Sequence, residues 1–234
     1  RGNPGKVVRK NYDADGMFLD SQVTTNHKFD SRGNVLSQTV ENFDMDGKLV
    51  DKSEITNSEF TSRGNAGKIK RVNYDEKGNL LDSQVISNKK MDARGNPLAQ
   101  TIENYDEKGV LLDRQEVESS GFNSRGVAAH SERKNFDAAG ALVDSQITDN
   151  TKVDSRGNVL EQTVKSYDDK GGLIDSTAIV NSGFNSRGNA AKTERKEDAK
   201  SMLRIAASQL FEHRLAVVSL VVIALFCSVA LGAD

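Results

Sequence analysis

The chain of 234 residues has no tryptophan, a single cysteine (Cys227), two prolines, three histidines and only 6% aromatic residues. One cysteine excludes an internal disulfide framework. Three scattered histidines (His27, His130, His213) and one thiol leave little material for a metal centre or an activated nucleophile. Neither His-Glu-x-x-His nor Gly-x-Ser-x-Gly occurs. Charge of one sign is missing too: 32 Lys+Arg stand against 34 Asp+Glu, which predicts no nucleic-acid partner. A hydrophobic fraction of 36% is lean for a compact two-layer core. These absences predict a protein that is not an enzyme, with no catalytic residues, no cofactor and no metal. Arg1 replaces an initiating Met and falls inside a repeat unit, which points to a fragment or a processed product.

What is abundant is glycine at fixed intervals. Gly2, Gly16, Gly33, Gly47, Gly64, Gly78, Gly95, Gly109, Gly126, Gly140, Gly157, Gly171 and Gly188 alternate in steps of 14 and 17, giving a 31-residue unit. One landmark of each unit reads aromatic-Asp-x-x-Gly, as in Tyr12-Asp13-Ala14-Asp15-Gly16. The other reads Ser/Ala-Arg-Gly, with Arg1, Arg32, Arg63, Arg94, Arg125, Arg156 and Arg187 at 31-residue intervals. A 62-residue period overlies this one. Odd units carry a small, basic stretch such as Ala66-Gly67-Lys68, and even units carry Leu-x-Gln-Thr-Val/Ile at 36–40, 98–102 and 160–164.

Asp-x-x-Gly suits a type I turn: Asp bonds the backbone two residues on, and Gly supplies a positive φ with a G1 bulge. The segments between turns then read as strands, for example Phe18 to Val23 and Leu80 to Val85. Pro4 and Pro97 each follow an Arg-Gly-Asn turn, at a strand start that tolerates a missing donor. Two stackings fit. A parallel β-solenoid would set equivalent residues about 4.8 Å apart and file Asp20, Asp51, Asp82, Asp113, Asp144 and Asp175 as like charges. An antiparallel hairpin array separates them by about 9.6 Å, so the predicted fold is an all-β antiparallel hairpin array with the solenoid as its alternative. About thirteen strands should then coil, close or pack on another copy.

Asp13-Ala14-Asp15-Gly16 and Asp44-Met45-Asp46-Gly47 echo a calcium loop and make Asp13, Asp15, Asp44 and Asp46 weak metal candidates. An EF-hand loop needs further oxygen ligands and a Glu at its twelfth position, so the turn reading is preferred. The Arg and Asp files read most simply as solvated strand ends, with pairing between units as the alternative. The Gln-Thr stretches leave glycans open as ligands.

The repeat pattern is expected over residues 1–191. A charged, then amphipathic linker helix is expected over 192–214, where Leu203, Ala206, Ala207, Leu210 and Phe211 share a face. The uncharged run 215–233 is long enough for a bilayer core at a rise of about 1.5 Å per residue. Its membrane candidates are Leu215, Val218, Leu220, Val222, Ile223, Leu225, Phe226 and Leu231. It reads either as a C-terminal anchor or, because Met202 to Asp234 has the basic start, apolar middle and small-residue end of a secretory signal, as an export signal out of order. Both readings make the membrane or the export machinery a partner and differ in sidedness: the basic residues before the run put the repeats of an anchored chain in the cytoplasm, whereas an export signal puts them outside. The location expected is the cell surface or outside the cell, membrane-associated if the hydrophobic segment is retained.

Tyr74-Asp75-Glu76-Lys77-Gly78-Asn79-Leu80 and Tyr105-Asp106-Glu107-Lys108-Gly109-Val110-Leu111 resemble the YD repeat of the rearrangement-hotspot (RHS) family. The resemblance covers about residues 1–191. It implies extracellular or envelope β-hairpin arrays, some coiled into hollow shells around toxins. The function expected is that of a structural β-repeat stalk or filament subunit whose main partner is another copy of itself, with a glycan-binding adhesin and a fragment of a toxin shell as rivals.

Overall fold

The computed structural model describes residues 4–13, 15–185 and 188–197. They form thirteen strands: β1 (Lys6–Tyr12), β2 (Phe18–Phe29), β3 (Val35–Phe43), β4 (Leu49–Ser58), β5 (Lys68–Asp75), β6 (Leu80–Met91), β7 (Pro97–Tyr105), β8 (Leu111–Ser120), β9 (His130–Asp137), β10 (Leu142–Val153), β11 (Val159–Asp168), β12 (Leu173–Ser182) and β13 (Lys192–Glu197). They lie in one antiparallel sheet in sequence order, and the sheet is not closed. The parallel solenoid is therefore wrong. Tight turns reverse the chain after each strand, whereas a solenoid coil must return every strand in the same direction.

The array also continues beyond Ala191, where the sequence suggested a linker helix. Lys192–Glu197 pairs with β12, from Ser182↔Lys192 to Thr177↔Glu197. Lysines and glutamates suit a strand whose two faces are wet, so their charge was no argument against pairing. Residues 198–214 and the run 215–233, with its membrane candidates, lie outside the described residues, as do Arg1, Gly2 and Arg187. Among the described residues no helix is long and apolar enough to cross a membrane.

The chain divides into two compact units, Arg1–Ser145 and Gln146–Asp234, with the boundary inside β10. Among the described residues only Ile55 and Thr101, each 7% exposed, are buried, and both belong to the first unit. The lean apolar content thus produces a sheet without a conventional core. Strand faces differ nevertheless. In β4, Leu49, Asp51, Ser53, Ile55 and Asn57 are half-buried or buried, while Val50, Glu54, Thr56 and Ser58 are exposed. On the more sheltered face Ile69 pairs with Ile86, and Ile86 with Ile102. Such cross-strand pairs contribute about 0.2–1 kcal/mol each, and many of them together stand in for a core.

A bulge follows each of the tight turns after β1, β3, β5, β7 and β11. Asn11 faces Asp20 but Tyr12 faces Phe18, so Leu19 is the extra residue. Val50, Leu81 and Leu112 are the extra residues of the next three hairpins in the first unit. Ile174 is its counterpart in the second unit. All five are large apolar side chains left exposed. A bulge offsets the pleat, so simple alternation does not carry these residues under cover.

Candidate functional site

The described surface offers three kinds of feature: two rows of turns, a face of linked polar side chains, and the exposed outermost described strands. The first row joins the hairpins at Asp13, Asp44, Asp75, Asp106, Asp137 and Asp168. In the turn at Asp75, the Asp75 amide donates to the Asn79 carbonyl at 2.9 Å and the Gly78 amide donates to the Asp75 carbonyl at 3.1 Å. Asp75 Oδ1 accepts from the Lys77 and Asn79 amides, both at 2.8 Å. The fourth position must be left-handed, and Gly16, Gly47, Gly78, Gly109, Gly140 and Gly171 hold φ between 76° and 84°. A Cβ on any of these six would meet nothing within 4 Å.

Asp13 and Asp44 belong to this row. Asp13 Oδ1 accepts from the Asp15 and Met17 amides at 2.9 and 2.8 Å, and Asp44 Oδ1 from the Asp46 and Lys48 amides at 3.0 and 2.8 Å. Their carboxylates hold the turn together. Asp15 and Asp46 are exposed at its tip, and among the described residues no three His, Cys, Asp or Glu side chains gather around a metal-sized space.

The second row contains Gly33, Gly64, Gly95, Gly126, Gly157 and Gly188, with φ between 79° and 93°. Here the surroundings change. In the first unit, a Cβ on Gly64, Gly95 or Gly126 would run into the side chain of Asn34, Asn65 or Asn96 from the preceding turn of the row. In the second unit Gly188 stands in the same relation to Asn158. Arginine adds a second link: Arg32 Nη1 donates to the Thr61 carbonyl at 3.2 Å, and Arg94 donates to the Asn123 and Phe122 carbonyls at 3.0 and 3.1 Å. These two arginines cap carbonyls of the next turn and are not merely solvated strand ends. Asn34, Asn96 and Asn158 also donate to Asp30, Asp92 and Asp154 Oδ2 at 2.7–2.8 Å. Those amides hold the Asp30, Asp92 and Asp154 carboxyls below the usual carboxylate range, as Asn79 does for Asp75.

Turns of the second row alternate between short (30–34, 92–96, 154–158) and long (59–67, 121–129, 183–191) connections. The long loops start on a left-handed residue: Glu59 at φ 57°, Gly121 and Gly183 at 67°. They close where Gly67, Ala129 and Ala191 donate backbone bonds to Ser58, Ser120 and Ser182 at 3.0–3.1 Å. The two ends share the space of one Cβ. Gly67 has no room for a Cβ because the Glu59 carbonyl would be 2.6 Å away, whereas Ala129 and Ala191 face Gly121 and Gly183.

The polar face is built from a three-strand relay. Asn42, Asn104 and Asn73 donate to Asp51 and Asp113 at 2.7 Å and to Asp82 at 2.6 Å. Their amide oxygens accept in turn from Gln22, Gln84 and Ser53 at 3.0, 2.9 and 2.8 Å. Asn11 and Asn135 donate to Asp20 and Asp144 in the same way, at 2.5 Å each. So five members of the aspartate file each have an amide partner. The opposite face carries charge on aromatic rings: Lys52 Nζ lies 4.6 Å from the Tyr74 centroid, and the Arg114 guanidinium 4.5 Å from that of Phe136. His27 Nε2 lies 2.6 Å from Thr39 Oγ1, His130 opens β9, and His213 and Cys227 lie outside the described residues.

The third feature was not assigned to particular strands by the sequence. β1 is exposed at every residue, and β13 at all five whose side chains are described. Each has one neighbour among the described strands.

No protein-family model matches the chain, and no curated protein is significantly similar to it. Among solved structures, it is similar to a chain of the crystal structure of TcdB2-TccC3-Cdc42, at 16% identity and a TM-score of 0.18. It is also similar to a chain of the Photorhabdus luminescens Tc holotoxin pore, at 14% identity and a TM-score of 0.18. Each match covers 82% of this chain, which spans only 13% and 12% of the length of those chains.

Proposed function

We propose that this chain is a non-enzymatic structural protein, a β-hairpin stalk or filament subunit of the cell surface or extracellular space that associates with other copies through its strand edges. The observation that carries this reading is a sheet in which only two of the described residues are buried and the outermost described strands, β1 and β13, are exposed. Such edges present unpaired N–H and C=O groups, which favour strand addition. The 31-residue unit would be the element of growth, and the segment 215–233 would deliver the chain to the membrane or the export machinery. Sedimentation velocity across a concentration series, with negative-stain microscopy of the heaviest fraction, tests it. Linear assemblies that lengthen with concentration are expected; a single monomer species at every concentration overturns the proposal.

A second reading, a fragment of an RHS-type toxin shell, draws on the Tyr-Asp-x-x-Gly repeats and on the exposed bulge residues Leu19, Val50, Leu81 and Leu112. It requires those side chains to line an enclosed space. A coding sequence that continues into a closing domain would favour it over the filament. Glycan binding, the third reading, rests on the Asn/Gln-rich face, and an array with no bound glycan would remove it.

A further inference from the structure

We propose that β1 of one copy adds to β12 of a second copy, taking the place that β13 occupies. This rests on the strand-edge assembly proposed above and names its edge, register and partner. The argument starts from chain arithmetic. Lys6, Lys68, His130 and Lys192 are 62 residues apart and open β1, β5, β9 and β13. β5 pairs with β4 over eight residues, Ser58↔Lys68 to Asp51↔Asp75. β9 pairs with β8 over the equivalent eight, Ser120↔His130 to Asp113↔Asp137. β13 pairs with β12 in the equivalent register, from Ser182↔Lys192 to Thr177↔Glu197 among the described residues. β1 is therefore a fourth strand of this class, and a strand of its class belongs beside β12.

Side-chain chemistry favours β1 in that place. β13 sets Glu194 opposite Val180, which stays 41% exposed. In the shared register β1 sets Val8 there, itself 52% exposed on its own edge. A Val–Val pair would cover both. Asn11 falls opposite Thr177, as Asn73 falls opposite Ser53, whose hydroxyl bonds it at 2.8 Å. Gly5 comes to the place of Gly67 and Ala191, beside Gly183, where even an alanine is accommodated. The contact joins two different surfaces, so it does not close on itself and can propagate as an open chain.

The test uses the full 234-residue chain carrying Cys227→Ser, with Val8→Cys and Val180→Cys made separately and together, and a short bis-maleimide cross-linker. Because Val8 and Val180 are exposed, the variants should keep the wild-type far-ultraviolet circular dichroism. A mixture of the two single-cysteine chains should yield a covalent heterodimer that neither chain yields alone, and the double variant should yield a ladder. Val8→Glu should weaken assembly about tenfold or more, the equivalent of about 1.4 kcal/mol. Assembly without the 8–180 cross-link, or a folded Val8→Glu chain that assembles like wild type, overturns this contact and leaves strand-edge assembly standing. No assembly at all overturns both.

Discussion

The two rows of turns share one backbone design and differ in their neighbours. Both hold a left-handed glycine at the fourth position, and both use a side-chain oxygen of the first residue to collect backbone amides. In the first row nothing lies within 4 Å of where a Cβ would stand. In the second row, the asparagine of the preceding turn lies against Gly64, Gly95, Gly126 and Gly188, and Arg32 and Arg94 reach across to carbonyls. Glycine in the first row therefore answers to φ alone. In the second row it answers to φ and to space, so the second row couples hairpin to hairpin while the first leaves each tip independent.

The sharpest break of that coupling is Gly67→Ala. The new Cβ meets a backbone carbonyl, and the expected loss is about 2–3 kcal/mol, read as a fall in the urea midpoint. Glu59→Gly added to it recreates the Gly121/Ala129 arrangement and should restore most of the loss, a non-additivity that a double-mutant cycle measures. Next comes the direct comparison. Gly78→Ala should cost about 1–2 kcal/mol from its positive φ, and Gly64→Ala about 1 kcal/mol more because Asn34 must leave its place. Equal losses at Gly64 and Gly78 would erase the distinction between the rows. Asn104→Ala should cost about 1–2 kcal/mol, since it strips a partner from both Asp113 and Gln84.

The smallest effect is read by acid and is made in the short turns of the second row. The carboxyls of Asp30, Asp92 and Asp154 titrate below their unfolded range because Asn34, Asn96 and Asn158 bond their charged forms. A depressed folded pKa contributes stability that is present above the unfolded pKa, near 4, and is lost as pH falls through the folded value. The triple variant Asn34→Ala, Asn96→Ala, Asn158→Ala should therefore be less stable at pH 6 and lose less between pH 4 and pH 2 than wild type. Chemical denaturation at each pH checks the slope; an unchanged slope would refute the assignment.

The turns were legible in the sequence because their chemistry is local. An Asp and a Gly three residues apart contain nearly the whole device, and Gly16, Gly47 and Gly78 lie where the spacing put them, each with positive φ. The aspartate file was legible as a file, and its asparagine partners were not. Asp51 finds Asn42 only across a hairpin whose bulge at Val50 sets the register, so no pattern of alternation exposes the pair. The same bulges hid the exposure of Leu19, Leu81 and Leu112, since apolar residues beside a strand start ordinarily signal burial. β13 was missed because its lysines and glutamates resemble a solvated linker, and a sheet with two wet faces accepts the same composition.

The exchange of one Cβ between the ends of the long loops has a genetic consequence. In a tandem array of related units, unequal recombination is possible, and where the crossover falls decides whether a loop keeps its fit. A join that links Glu59 to Ala129 brings two Cβ atoms into room for one, whereas the reciprocal join, Gly121 to Gly67, leaves that room empty. Crossovers inside the strands move each loop as an intact pair and preserve the fit. Recombination in the strands is therefore expected to spare the loops, whereas recombination within a loop is tested by the packing of a single methyl group.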